Sequence, residues 1–295
     1  MKWRRLCRFL VFLAFIFLVN LSAQANTQIN YSYYMQIYDN QGNYLPTPEV
    51  PVVFFENPLE LQIKNGTEKN DRFMLLCVLN GKAQTFSTST MANVKQASFE
   101  ICGNETLNIP LKIYLTDIIS NAPNILHIIS IGLLDRIPLN EHDNISIYSH
   151  VISIPLDIKN FFDFSNAIQF DMQNVQFSSD KSPSLEEITF IPESGEIGSS
   201  LQIMYHTESR VFMVDVAIYA PDCPMCAMFF LDEQLLQFNG KDSIILNQDI
   251  NSYLRTKLNL RLTEGDHQLF GIWLPIDNSY PAIFSTSEKI VIHVK

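Results

Sequence analysis

Positive charge is scarce in this 295-residue chain: 20 Lys and Arg stand against 31 Asp and Glu, a formal net charge of −11. Nucleic acid and anionic membrane surfaces both reward clustered Lys and Arg, so neither fits as a partner. Catalytic motifs are missing as well. The chain contains no Gly-x-Ser-x-Gly, no Walker loop, no Gly-x-Gly-x-x-Gly and no His-Glu-x-x-His. The adjacent carboxylates Glu186-Glu187 and Asp232-Glu233 form no ready acid/base couple, since neighbours on a strand point to opposite faces. Glu141-His142-Asp143-Asn144 lacks the spacing and the glycine of an EF-hand loop. Sequence therefore gives no catalytic residue, no metal site and no cofactor. A helical apolar run long enough to span a bilayer is also absent after the first 25 residues.

Those first residues follow a different pattern. Lys2, Arg4, Arg5 and Arg8 precede an apolar run from Phe9 to Val19, and Ala23-Gln24-Ala25 supplies the small residues that a signal peptidase needs. We expect a signal peptide over 1–25, removed to leave an exported chain, periplasmic or extracellular, with bacterial export favoured by the alanine-rich site. Removal takes four basic and no acidic residues, which moves the net charge from −11 to −15. It also removes Cys7 and leaves four cysteines. In an oxidising compartment an even count points to bridges. The within-domain pairing, Cys77 with Cys102 and Cys223 with Cys226, requires least of the chain.

What fills the remaining length is strand-like. Short segments rich in apolar residues, alternating with polar ones in Leu59–Ile63 and unbroken in Phe73–Leu79, with others at Leu107–Leu115 and Gln268–Leu274, are separated by Asn, Gly, Pro or Asp. Asn80-Gly81 is the strongest hairpin signal. Helical stretches that would alternate with strands in a parallel sheet are missing, so the count and spacing predict a β-sandwich. Leu61-Gln62-Ile63 with Thr67-Glu68 and Arg72–Val78 is echoed, 140 residues on, by Leu201-Gln202-Ile203 with Thr207-Glu208 and Arg210–Val216. The same offset relates His127 to His267. We take this as a duplicated domain, with sandwich one over 26–160, an opening strand and connector of domain two over 161–184, and sandwich two over 185–295. Trp273, the only tryptophan after residue 25, is expected to anchor the second core.

The segment Arg210–Pro221, followed by Phe229-Phe230-Leu231 and then Glu264–Trp273, resembles the immunoglobulin-like repeats of bacterial secreted and surface proteins. That resemblance implies tandem immunoglobulin-like antiparallel sandwiches that act as spacers or binding modules, with no active site. The segment departs from such repeats in Cys223-Pro224-Met225-Cys226, which we place where the first domain has Asn80-Gly81. Three uses compete for this pair: a small structural bridge, a redox couple, and half of a metal site. Val214–Ala220 ahead of it and Leu231-Asp232-Glu233 behind it resemble the strand and helix flanking the thioredoxin motif, which implies Cys223 as attacking thiol and Cys226 as resolving thiol. A zinc site needs two more ligands, and His206 and His267 come without supporting spacing.

The tyrosines of Tyr31-Ser32-Tyr33-Tyr34-Met35-Gln36-Ile37-Tyr38 alternate between two strand faces. Tyr31 and Tyr33, with Met35, form the candidate binding face for a sugar or a partner strand. The sequons at Asn65, Asn104 and Asn144 matter only in a eukaryotic secretory host. The expectation is an exported, non-catalytic protein that binds an envelope or protein partner, with thiol–disulfide exchange and carbohydrate binding as the competing functions.

Overall fold

The structure, a computed structural model, describes residues 33–45, 50–51, 57–116, 118, 124–132, 149–157, 176–177, 188–191, 204–220, 224–238, 240–246, 252–276 and 285–295. The expected signal peptide, Tyr31, Cys223, Glu141–Asn144 and most of the 161–184 connector lie outside these residues. Among the described residues every regular element is a β-strand. No helix there is long and apolar enough to cross a membrane.

The first sandwich is built from β1 (Tyr34–Tyr38), β2 (Val50–Pro51), β3 (Leu59–Lys64), β4 (Asp71–Leu79), β5 (Lys82–Ala83), β6 (Thr85–Ser87), β7 (Gln96–Ile101), β8 (Thr106–Tyr114), β9 (Ile125–Ile131) and β10 (Ser149–Asp157). One sheet runs β1-β3-β8-β6; the other runs β2-β10-β9-β4-β5, with β7 also on β4. This is the A-B-E-D sheet facing the G-F-C sheet of an immunoglobulin-like sandwich. The second sandwich uses β11 (Gln176–Phe177), β12 (Ile188–Ile191), β13 (Met204–Thr207), β14 (Val211–Ala220), β15 (Met225–Leu231), β16 (Gln234–Leu235), β17 (Ile244–Leu246), β18 (Ser252–Arg261), β19 (Gly265–Pro275), β20 (Ser285–Thr286) and β21 (Ile290–Val294). Its sheets run β11-β18-β14-β12 and β13-β21-β19-β15-β16, with β17 on β15 and β20 on β19. β12 therefore takes the place of β1. The 161–184 stretch, expected to hold the opening strand of domain two, instead contributes β11, which pairs with Leu254 and Arg255 at the edge that β6 occupies in the first sandwich.

Period-two alternation explains most of the burial. In β3, Leu59, Leu61 and Ile63 face the core while Glu60, Gln62 and Lys64 face outward. The central strands break this rule in sequence because both of their faces are covered. On β4, Phe73, Leu75, Cys77 and Leu79 fill the first core, whereas Met74, Leu76 and Val78 meet Cys226, Met228 and Phe230 of β15 and Phe270, Ile272 and Leu274 of β19. The second core takes Met225, Ala227, Phe229, Leu269 and Trp273 from those same strands. The two large sheets are thus packed back to back. Each fully buried side chain of this size contributes about 1.5–3 kcal/mol of transfer free energy, so the seam is a third core. Trp273 sits in the second core as expected, and its indole N–H donates to the Tyr219 carbonyl at 2.8 Å.

The duplication is topological, but its register is not the 140-residue offset. β4 is equivalent to β15, each lying between its F-strand, β9 in the first sandwich and β19 in the second, and a two-residue hairpin partner. Leu79↔Lys82 closes the first hairpin and Leu231↔Gln234 the second. The counterpart of Asn80-Gly81 is therefore Asp232-Glu233, not the Cys-Pro-Met-Cys loop. Both pairs have positive φ at both residues, 51° and 76° in the first and 50° and 63° in the second, which is the type I′ geometry that matches strand twist. Short apolar strands resemble one another at many offsets, which is how the 140-residue match arises.

Candidate functional site

The seam between the sandwiches is ringed by polar contacts, and the two type I′ turns supply its ends. Each turn reaches across to the other sandwich. The Gly81 carbonyl accepts a 2.5 Å hydrogen bond from Ser243 Oγ. The Glu233 carbonyl accepts one from Gln96 Nε2, and Gln96 Oε1 in turn accepts from the Leu235 amide at 3.1 Å. Glu233 also pairs with Arg72 and accepts from Ser98 Oγ at 3.2 Å. Lys95 closes another edge on Asp242, at 3.0 and 2.8 Å to its two oxygens. Close to the first turn, where His127 pairs with Val78, its Nε2 lies 2.7 Å from the Pro275 carbonyl and its Nδ1 lies 2.9 Å from Ser153 Oγ. A carbonyl only accepts, so Nε2 carries the proton and Nδ1 accepts from the serine. Burial lowers the His127 pKa to about 4, against the help of the Pro275 bond. This histidine is a neutral structural link.

His267 behaves in the opposite sense. Its Nδ1 meets Asp232 Oδ2 at 2.6 Å and its Nε2 meets the Thr263 carbonyl at 3.0 Å, so both nitrogens donate. Burial alone would lower its pKa; the Asp232 and Thr263 hydrogen bonds and the charges of Asp232 and Asp266 reverse that and raise it. His206 is not near it, but stacks on His293 at 4.8 Å, and His293 Nδ1 is 2.5 Å from Asp266 Oδ1. Among the described residues no group of three or more His, Cys, Asp or Glu is arranged to hold a metal ion.

The expected Cys77–Cys102 bridge is absent: both residues are free. The β4–β7 register pairs Asp71 with Ile101, which puts Cys102 near the start of β4 while Cys77 lies six residues further along it. That is about 20 Å at strand rise, where a bridge tolerates about 7 Å between Cα atoms. Cys226 is free too, wholly buried in the seam on β15, and burial pushes its thiol pKa upward, as it does for Cys77. The local likeness to thioredoxin also fails in the flanks. Val211–Ala220 and Met225–Leu231 are strands of different sheets, and Asp232-Glu233 is a turn where that motif is followed by a helix.

Tyr33 is not on a binding face. It is buried, donates to Asp71 Oδ2 at 3.0 Å and packs edge-on against Phe73 at 5.5 Å. The outward tyrosines are those of opposite parity, Tyr34 and Tyr38. They stand on the outer face of the β1-β3-β8-β6 sheet, with Tyr44 and Tyr114 exposed at its margins. The sequon asparagine Asn65 is wholly buried, its amide nitrogen committed to the carbonyls of Lys69 and Ile101.

The outer face of the second sandwich has another character. Val211 and Met213 on β14 are 49% and 42% exposed, beside Asn259 and Arg261 of β18. Further along, Asp215 is held by Arg255 at 2.5 Å and by Lys257 at 3.6 Å. Three of the seven Lys and Arg between Ile188 and Lys295 belong to this strand. Sequence reasoning found neither outer face, because alternation tells which residues share a side and not which side meets water.

No family model and no curated protein matches the chain. Among solved structures it is similar to the Escherichia coli chaperone DraB, at 9% identity and a TM-score of 0.26 over 89% of this chain and 97% of that one. The Pseudomonas aeruginosa CupB2 chaperone matches at 6% identity and a TM-score of 0.25, over 79% and 92% of the two chains. Red sea bream transglutaminase matches at 8% identity and a TM-score of 0.23, where 89% of this chain spans only 31% of the enzyme.

Proposed function

We propose that this is an exported, non-catalytic binding protein that works through protein–protein contacts at the outer face of its second sandwich. The observation that carries the reading is the exposed pair Val211 and Met213 set beside Arg261, with Lys257 and Arg255 on the same strand, in a chain of net charge −11. An apolar contact flanked by cations in an otherwise acidic protein favours an acidic polypeptide partner, which the cations steer and the aliphatic side chains hold. The back-to-back seam supports this use, since it commits the large sheets to each other and leaves the small sheets facing outward. The basic and apolar pattern of the first 25 residues supports export, with the partner then an envelope or secreted protein.

Immobilised wild-type chain and the variants Met213→Asp and Arg261→Glu, each checked for an unchanged melting curve, are compared for capture of proteins from an envelope extract. The expectation is a partner retained by wild type, lost from both variants and released by high salt. A capture pattern that neither substitution alters removes this face as the binding surface.

A further inference from the structure

The outer face of the first sandwich is built differently, and its chemistry is independent of the protein contact just described. Strand register aligns its outward side chains in rows. Gln36, Gln62 and Asn108 lie directly across β1, β3 and β8 from one another. Tyr34, Lys64 and Thr106 form the row on one side, and Tyr38, Glu60 and Pro110 the row on the other. At sheet spacings the amides stand about 5 Å apart within their row, and the flanking rows lie about 7 Å to either side. Amide side chains both donate and accept, which is what vicinal hydroxyl groups require. Tyrosine rings offer an apolar face for C–H surfaces and a polar edge.

The face is also organised before any ligand arrives. Tyr38 donates its hydroxyl to Gln36 Oε1 at 2.9 Å, which fixes the amide orientation and turns its N–H groups away from that bond. Gln62 Nε2 bonds Glu60 Oε1 at 3.3 Å, leaving Gln62 Oε1 outside that bond. The Tyr38 and Tyr44 rings lie 5.8 Å apart, and the Lys64 ammonium sits 5.7 Å from the centre of the Tyr34 ring. Beyond Glu60, Asn108 and Pro110 the face continues into a depression of ≈ 380 Å³ that Asn40 and Gly42 also line. Lys64 and Glu60 offset each other across the amide row, so the centre of the face is neutral although the whole chain is strongly acidic.

We infer that this face binds a neutral oligosaccharide, laid across the Gln36–Gln62–Asn108 row with the Tyr34 and Tyr38 rings against its sugar planes and one end in the depression. A flat, ribbon-like chain of equatorially linked sugars matches a sheet face that alternates rings and amides. Addition of a peptide strand is disfavoured at the adjoining edge, because the Leu45 amide already bonds the Ile37 carbonyl at 2.9 Å and Tyr44 bridges Tyr38. The row itself is uncharged, Lys64 beside it is offset by Glu60, and Asp39 and Glu60 line the depression, so an acidic polymer meets no net positive charge.

The test uses the full chain after export, titrated calorimetrically with cellohexaose, with N-acetylchitohexaose and, as the charged comparison, with a polygalacturonate hexamer. Binding of at least one neutral hexamer and none of the charged one is expected. Gln62→Ala is expected to weaken that binding about tenfold, the loss of roughly one hydrogen-bonding group, and Tyr34→Ala by a similar factor. Gln62 and Tyr34 are partly exposed, so both variants should fold, and an unchanged melting curve confirms it. No binding of either neutral hexamer overturns the inference, as does binding that both substitutions leave intact or preference for the charged oligomer.

Discussion

The two type I′ turns solve one geometric problem with different residues. Asn80-Gly81 and Asp232-Glu233 occupy equivalent hairpins, and each places its second carbonyl on a side chain of the opposite sandwich. At Gly81 a side chain would be crowded: an added Cβ would lie 3.2 Å from both Cys226 Cβ and Ile245 Cδ1. At Glu233 there is room, and the side chain uses it to reach Arg72 and Ser98, at the expense of a left-handed backbone that glycine adopts more readily. The same contrast holds for the F-strand histidines. His127 is neutral and buried in the seam, while His267 holds a proton against Asp232. Duplicated topology thus fixes where the sandwiches touch, and the local chemistry at each contact is then free to diverge.

The largest effect should come from the seam both turns border. Phe270 stacks on Phe230 with centroids 5.0 Å apart, and Phe270→Ala is expected to cost about 3–5 kcal/mol in a urea melt. Loss of under 1 kcal/mol would mean the sandwiches do not stabilise each other. Exchanging the turn chemistry tests the comparison directly. Gly81→Glu puts the second turn's residue into the first and should cost about 2–4 kcal/mol, from backbone strain plus crowding against Cys226 and Ile245. A neutral result would show that the seam opens readily there.

Acid should act through His127. Its folded pKa is lowered to about 4, so its contribution is complete above its ordinary value near 6.5 and is lost as pH falls through about 4. The loss approaches about 3 kcal/mol, and His127→Gln should flatten that acid limb. His267 works the other way: its folded pKa is raised, so its contribution is full below about 6.5 and fades as pH rises through the folded value. Asp232→Asn should remove the alkaline limb and leave the acid one. The smallest change is expected from Glu233→Gly, less than about 1 kcal/mol, because relief of the left-handed backbone offsets the loss of a partly exposed ion pair. A loss above about 2 kcal/mol would instead make Glu233 a principal latch of the seam.

Much of the fold was legible in the sequence because strands announce themselves through alternation and turn residues. Leu59–Ile63 and the Asn80-Gly81 hairpin stand where the pattern placed them, and Trp273 is the core anchor it was expected to be. The binding tyrosine was misassigned because Tyr33 and Tyr34 differ only in parity, and the pattern names two faces without telling which is wet. Burial of Tyr33 beside Phe73 and Asp71 settles the choice. The cysteines failed for a different reason: an even count says nothing about distance, and Cys77 and Cys102 sit at opposite ends of one strand pair. Asp232-Glu233 escaped notice as a hairpin because neither residue is glycine; its left-handed backbone is held by the Asp232 bonds to His267 and Gln268 and by the Glu233 contacts across the seam.

By itself, then, the sequence determined the all-β class and the scarcity of cations, since each follows from local periodicity or composition, whereas the two sandwiches were expected from a 140-residue echo whose register the structure does not keep. The unbroken apolar run Phe73–Leu79 and the strand Gln268–Leu274 are both covered on two sides. What covers the second side was decided by tertiary structure alone, because a strand's period sorts its side chains into two sets and only packing assigns one set to its own core and the other to its neighbour.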